Sequence, residues 1–228
     1  MIAGGFQKNS LIDFPGKISS VVFTKGCNFK CPYCHNPELI SFEKDEFIVD
    51  TDEIFDFLKK RKGFIDAVVI TGGEPCLQKD IIDFAKKIKN LGFLLKLDTN
   101  GSRPEVVEKL LKENLLDLIA MDIKTLFNNY DDLTNEKNME EKLKTSVSLI
   151  MNSGVDYYFR TTCAPPFVTK KNFSEVIAQI KGAKKYVIQK FNNKKVLNPD
   201  FFQGIEAVSE KDFEQLQIKA RHYFKKIK

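Results

Sequence analysis

Cys27, Cys31 and Cys34 sit in the run Cys27-Asn28-Phe29-Lys30-Cys31-Pro32-Tyr33-Cys34, a C-x3-C-x2-C spacing. Thiolates are soft ligands suited to iron–sulfur chemistry. Three of them are too few to close a four-coordinate structural zinc site, and they suit a cubane cluster that leaves one iron without a protein ligand. An iron with a free position binds a small molecule directly, so the spacing points to chemistry more than to structure. The rival reading is a zinc site completed by His35. Gly26 lets the chain turn into the loop and Pro32 stiffens it.

Other polar groups could serve the same centre. Gly72-Gly73-Glu74-Pro75 bares backbone groups that a ligand can approach closely, although it also reads as a tight turn before a helix. Asp98-Thr99-Asn100-Gly101 has turn chemistry. Asp122-Ile123-Lys124 alternates, which puts both charges on one side of a strand. Arg160 lies in an apolar β-like run, and charges so placed need a partner or a ligand. A buried salt bridge is the plain alternative. Cys76 and Cys163 read as small buried apolar residues. His222 reads as a surface group on the last helix, and His35 as a loop residue near the cysteines.

The elements that position these residues alternate between strand and helix. Strands are expected at residues 18–24, 67–71, 94–98, 118–123, 156–162 and 186–191. Helices are expected at 50–62, 79–90, 104–113, 139–152, 173–180 and 209–224, with caps at Asp50-x-x-Glu53 and Ser209-x-x-Asp212. Residues 25–47 form a long loop that carries the cysteines. About six βα units predict an α/β fold with a parallel sheet, too few for an eight-stranded barrel. Parallel folds place their sites at the carboxyl ends of strands, where the residues singled out above lie. The reading is one domain, 1–228, with an arm at 1–16, a partial-barrel core at 17–191 and a closing loop and helix at 192–228. Residues 192–203 break the rhythm as an edge loop.

Composition excludes several classes. The 228 residues carry 36 basic and 31 acidic side chains, a net charge of +5. The lysines are scattered as a solvated face would have them, with no aromatic-interleaved basic stripe for nucleic acid. Five cysteines, three of them together, argue against a disulfide framework and for a reducing compartment. No apolar run approaches the ~18 residues of a membrane span. The expectation is a cytoplasmic protein that binds neither membrane nor nucleic acid.

Taken together, the cysteine loop with Tyr33 before its third cysteine resembles the radical S-adenosylmethionine enzymes. Cys34-His35-Asn36-Pro37, Gly72-Gly73-Glu74-Pro75, Asp98-Thr99-Asn100-Gly101 and Asp122-x-Lys124 are similar to the activating enzymes of glycyl radical enzymes. Ser10-Leu11-Ile12-Asp13-Phe14-Pro15-Gly16, Gln189-Lys190-Phe191 and Leu197-Asn198-Pro199 most resemble the activating proteins of anaerobic ribonucleoside-triphosphate reductase. The chain departs from that pattern at Cys76, Cys163 and Asn192-Asn193.

The resemblance implies a partial (β/α)6 barrel of parallel strands. It implies a [4Fe-4S] cluster on Cys27, Cys31 and Cys34, whose free iron chelates S-adenosylmethionine. By the same resemblance, the Gly72-Gly73-Glu74 backbone accepts from the cofactor's amino group, Tyr33 seats adenine, and Asp98 and Thr99 lie by ribose and methionine with Asp122 nearby. Lys124 and Arg160 pair with the cofactor carboxylate. Asp98, Thr99, Asp122 and the Ala120 carbonyl hold a monovalent cation. The implied activity is reductive cleavage of S-adenosylmethionine to make a glycyl radical on a partner, anaerobic ribonucleoside-triphosphate reductase, with electrons from a flavodoxin- or ferredoxin-type donor. The alternatives are activation of another glycyl radical enzyme, such as pyruvate formate-lyase, and small-molecule chemistry like that of 7-carboxy-7-deazaguanine synthase.

Overall fold

The computed structural model describes residues 1–43 and 48–224 and the backbone of 226–227. The end of the expected cysteine loop, residues 44–47, lies outside the described residues. The strands are β1 (Ala3–Ser10), β2 (Ser19–Thr24), β3 (Ala67–Gly72), β4 (Leu94–Thr99), β5 (Leu118–Asp122), β6 (Asp156–Cys163), β7 (Lys185–Lys190) and β8 (Lys226–Ile227). They form one sheet in chain order. From β2 to β8 every pairing is parallel, as the βα rhythm predicts, while β1 runs antiparallel to β2. β1 and β8 are opposite edges, so the sheet is an open, partial barrel.

The helices are α1 (Thr51–Lys60), α2 (Ile81–Asn90), α3 (Pro104–Lys112), α4 (Met139–Asn152), α5 (Phe173–Ala178) and α6 (Glu210–Tyr223). Each expected helix is present within a few residues. In α1 the spacing of Ile54, Phe55 and Leu58 puts all three on one buried stripe. Their burial stabilises the docked helix by about 1.5–3 kcal/mol each before chain entropy is subtracted. Asp50 caps α1, its Oδ1 accepting from Asp52 N at 2.9 Å. The bond therefore goes to the second helical amide rather than to Glu53. Ser209 caps α6 through Asp212 N at 3.1 Å, as its spacing predicts. None of the helices among the described residues is long and apolar enough to cross a membrane.

Residues 1–16, read from sequence as an arm, contain β1 and a loop. Gly4, Gly5, Lys8 and Asn9 are poor strand formers, and pairing with β2 overrides that preference. The following loop places Phe14 among Val21, Ala67, Val69, Leu118, Ala120 and Tyr158 in the barrel interior. The alternate residues of the same strands, such as Val68, Ile70, Leu95, Leu97, Ile119 and Phe159, pack outward against the helices. Strand alternation thus divides an outer apolar core from a small inner one.

Replacing Asp50 with Ala removes the α1 cap. The expected loss is about 1 kcal/mol of stability, read as a lower urea midpoint with unchanged slope.

Candidate active site

Backbone bonds fix the cysteine loop at both ends. Gly26 N donates to Leu39 O at 2.8 Å and Cys27 N to Ile40 O at 2.9 Å. Cys34 N closes on Cys31 O at 2.9 Å. From the far end of the chain, Leu197 N donates to Cys34 O and Asn198 N to Pro32 O, both at 3.0 Å. The segment read as an edge loop therefore straps the cysteines. His35 Nδ1 bonds the Lys195 carbonyl at 2.8 Å, which joins the ring to this strap.

Asn28 is held from another side. Its amide donates to Ser102 Oγ and to Glu136, and its Oδ1 accepts from Asn100. Arg103 and Lys142 fasten Glu136 in turn. Hydrogen bonds from Arg103 outweigh the burial that opposes ionisation, so the Glu136 carboxyl is lowered from 4.5 to about 2.

Gly72 and Gly73 end β3 where backbones nearly touch. Gly72 has φ +110°, and a Cβ there would lie 2.5 Å from Thr24 N. A Cβ on Gly73 would lie 2.2 Å from Gly26 O. The pair is thus required by the approach of the cysteine loop to β3, independently of any ligand.

Glu74 is fully buried. Its carboxylate accepts from Cys76 N at 3.0 Å, Thr99 Oγ1 at 2.8 Å and Asn100 N at 2.6 Å. Burial raises its pKa, and these bonds oppose the rise. The side chain clamps the ends of β3 and β4 together, and its carbonyl accepts from Leu77 N.

One cavity of about 220 Å3 collects most of the expected site. Cys27, Cys31, Cys34, Tyr33, Gly72, Gly73, Thr71, Asp98, Thr99, Asp122, Lys124 and Arg160 line it. Glu74 and Ala120 are not among the lining residues. Glu74 is turned into its clamp, and Ala120 lies lower in the barrel, in register with Asp98 and Tyr158. Of the lining residues, Phe29, Thr71 and Thr162 were missed from the sequence, while Asn100 and Gln189 entered the reading only as members of motifs, with no role assigned. Thr162 was available from alternation, two residues beyond Arg160. Cys76 and Cys163 are buried, as expected.

A chain of alternating charges crosses the cavity floor. Lys96 Nζ lies 2.8 Å from Asp98 Oδ1. Arg160 Nη1 reaches Asp98 Oδ2 at 3.4 Å, and its Nε donates to Asp122 Oδ1 at 2.6 Å. Lys124 Nζ donates to Asp122 Oδ2 at 3.0 Å. Burial opposes the charge on Asp122, but Arg160 and Lys124 outweigh it and hold the carboxyl below its usual range. Asp122 in turn holds Arg160 protonated. The buried salt bridge considered from sequence therefore exists. Of these five groups, Asp98, Asp122, Lys124 and Arg160 line the cavity, Lys96 stands behind Asp98, and the Glu74 carboxylate lies behind Thr99 and Asn100.

Burial pushes the Cys27 thiol up to about 12 and Cys31 to about 11, and it raises Cys34 as well. Thiols this reluctant to ionise become ligands when a metal displaces their protons. Among the described residues no three His, Cys, Asp or Glu groups converge as a single ion requires. The thiols instead rim a cavity, as a multi-iron cluster needs. The Tyr33 hydroxyl is buried beside it with no hydrogen-bond partner among the described residues. Such an orphan usually marks an absent partner. Three thiols, an unpartnered hydroxyl and the cationic Lys124 and Arg160 at one cavity fit an iron–sulfur cluster with a carboxylate-bearing ligand.

The model of the radical SAM superfamily matches residues 21–180. The chain belongs to this superfamily. It is accordingly an enzyme of the class that uses S-adenosylmethionine with a [4Fe-4S] cluster. It is 35% identical to a Methanocaldococcus jannaschii protein provisionally named as a glycyl-radical enzyme activating enzyme, over 99% of this chain and 94% of that one. It is 28% identical to the pyruvate formate-lyase-activating enzyme of Clostridium pasteurianum, over 92% and 93% of the two chains. The fold is similar to that of Streptococcus suis SuiB bound to S-adenosylmethionine, with a TM-score of 0.66 at 15% identity, covering 89% of this chain. This radical SAM chain spans about half of that solved structure, 46% of its length.

Gly73→Ala forces a methyl into a backbone carbonyl. The expected cost is about 2 kcal/mol, read as a lower melting temperature by circular dichroism. Glu136 binds a proton more weakly folded than unfolded, so its contribution is complete above 4.5 and lost as pH falls toward about 2. In urea titrations at about pH 5 and about pH 3, Glu136→Gln should lose less stability between the two than the parent protein.

Proposed function

We propose that this radical SAM enzyme activates a glycyl radical enzyme, and that the partner is anaerobic ribonucleoside-triphosphate reductase. The observation that carries the reading is the convergence of three thiols and the cationic Lys124 and Arg160 on one cavity at the strand ends. Near-complete coverage of two relatives named as activating enzymes supports the class of reaction. The reductase is favoured by Ser10-Leu11-Ile12-Asp13-Phe14-Pro15-Gly16 and Leu197-Asn198-Pro199. A flavodoxin- or ferredoxin-type protein would supply the electron.

In this reading Cys27, Cys31 and Cys34 hold the cluster. When bound, the reduced cluster with S-adenosylmethionine supplies a 5′-deoxyadenosyl radical by one-electron cleavage of a carbon–sulfur bond. The remaining residues bind, orient and exclude water. Lys124 and Arg160 bring cationic donors to the cofactor carboxylate. The backbone of Gly72 and Gly73, the part of Gly72-Gly73-Glu74 that lines the cavity, would face its amino group, and Tyr33 would lie against adenine. Thr99 and Asp98 neighbour the ribose and methionine. No general acid or base is required, because a radical that attacks most nearby C–H bonds is governed by placement and dryness. A cation among Asp98, Thr99, Asp122 and the Ala120 carbonyl is left out of the mechanism. Lys96, Arg160 and Lys124 already face both carboxylates.

The test begins with anaerobic reconstitution using iron and sulfide. The parent protein should hold about one cubane per chain and, once reduced, form 5′-deoxyadenosine. Cys31→Ala should do neither, and unchanged product formation would refute the cluster assignment. Electron paramagnetic resonance should then show a glycyl radical on the reductase when the two proteins are mixed with S-adenosylmethionine. A radical on pyruvate formate-lyase alone would reassign the partner.

A further inference from the structure

Lys96 is 1% exposed and does not line the cavity. It precedes Asp98 by two residues on β4, so both side chains enter the barrel. Its ammonium group meets three things there. It donates to the Asp13 carbonyl at 2.7 Å, lies 2.8 Å from Asp98 Oδ1, and sits 5.4 Å over the Tyr158 ring. A lysine buried this deeply is costly unless its charge is used.

The geometry shows where the charge acts. Asp98 Oδ1 is buried, with the Lys96 ammonium as its charged donor at 2.8 Å. Among the described residues Oδ2 has two long contacts, Thr71 Oγ1 at 3.3 Å and Arg160 Nη1 at 3.4 Å. Arg160 holds Asp122 far more closely, at 2.6 Å. Without a cation at position 96, the Asp98 carboxylate would turn to Arg160 and draw it from Asp122. An entering carboxylate would then meet a guanidinium that is engaged elsewhere.

We infer that Lys96 is a positioning residue for the anionic end of S-adenosylmethionine: it neutralises Asp98 so that Arg160 and Lys124 stay available at the cavity. This rests on the proposed roles of Asp98, Arg160 and Lys124. It adds a residue from which nothing reaches the cofactor directly. Lys96 also ties the 10–16 loop, through Asp13, to the site at the opposite end of the barrel.

The experiment is equilibrium dialysis of S-adenosylmethionine against the cluster-loaded protein, with iron content and circular dichroism matched between variants. Lys96→Gln keeps a donor for Asp13 and removes the charge. It should weaken binding about tenfold, and Lys96→Arg should restore affinity to within about threefold. Lys96→Gln combined with Asp98→Asn should bind no more weakly than the worse single variant, because both changes act through one carboxylate. Parent-like affinity in Lys96→Gln, no rescue by Arg, or multiplying effects in the double variant each overturn the inference. If Lys124→Ala and Asp98→Asn also bind as the parent does, the reading of the site falls with it. If those two weaken binding and Lys96→Gln does not, the inference falls alone.

Discussion

The alternating chain Lys96–Asp98–Arg160–Asp122–Lys124 is the constraint on which the site depends. Five ionisable groups inside a barrel are tolerable only while each has an opposite neighbour. Removing one partner of a buried pair costs about 3–5 kcal/mol, because the other charge stays behind. The order of signs therefore fixes the side chains nearly as firmly as packing would. Two of its cations, Arg160 and Lys124, line the cavity.

A second constraint is the way the cysteine loop is attached. It has little secondary structure of its own, and a loop of that kind would ordinarily be mobile. Here its amides and carbonyls are matched to residues 39–40, to Leu133, to Glu74 and to the strap at 197–198. Asn28 adds a side-chain anchor shared with Ser102, Asn100 and Glu136. The Gly72-Gly73 turn lets β3 come close enough for Gly73 N to reach Thr24 O and Glu74 N to reach Gly26 O. The radical SAM enzyme thus meets the geometric demand of its chemistry mainly with backbone hydrogen bonds.

The same residues serve fold and function together. Glu74 joins two strand ends with its carboxylate, although its motif reads as a ligand cradle. Tyr33 packs against Phe167 and Phe191 while its hydroxyl has no hydrogen-bond partner among the described residues. One residue of the pair supports the site from behind, and the other presents a group to it.

Local pattern determined much of this protein. Cysteine spacing singled out three thiols that the structure brings to one cavity, apolar runs and caps placed β2 to β7 and helices α1 to α6, and the strand-end rule located the cavity. These features are legible because they depend on neighbours within a few residues, through sterics, capping and period-two alternation. Only the tertiary structure decided that residues 1–16 supply an edge strand, that residues 195–198 strap the cysteines, and that Lys96 joins the charge chain behind Asp98. Each of those depends on contacts between residues far apart in the chain, such as Asp13 with Lys96 or Cys34 with Leu197. Such contacts are set by strand register and the curvature of the sheet, which no local window of sequence contains.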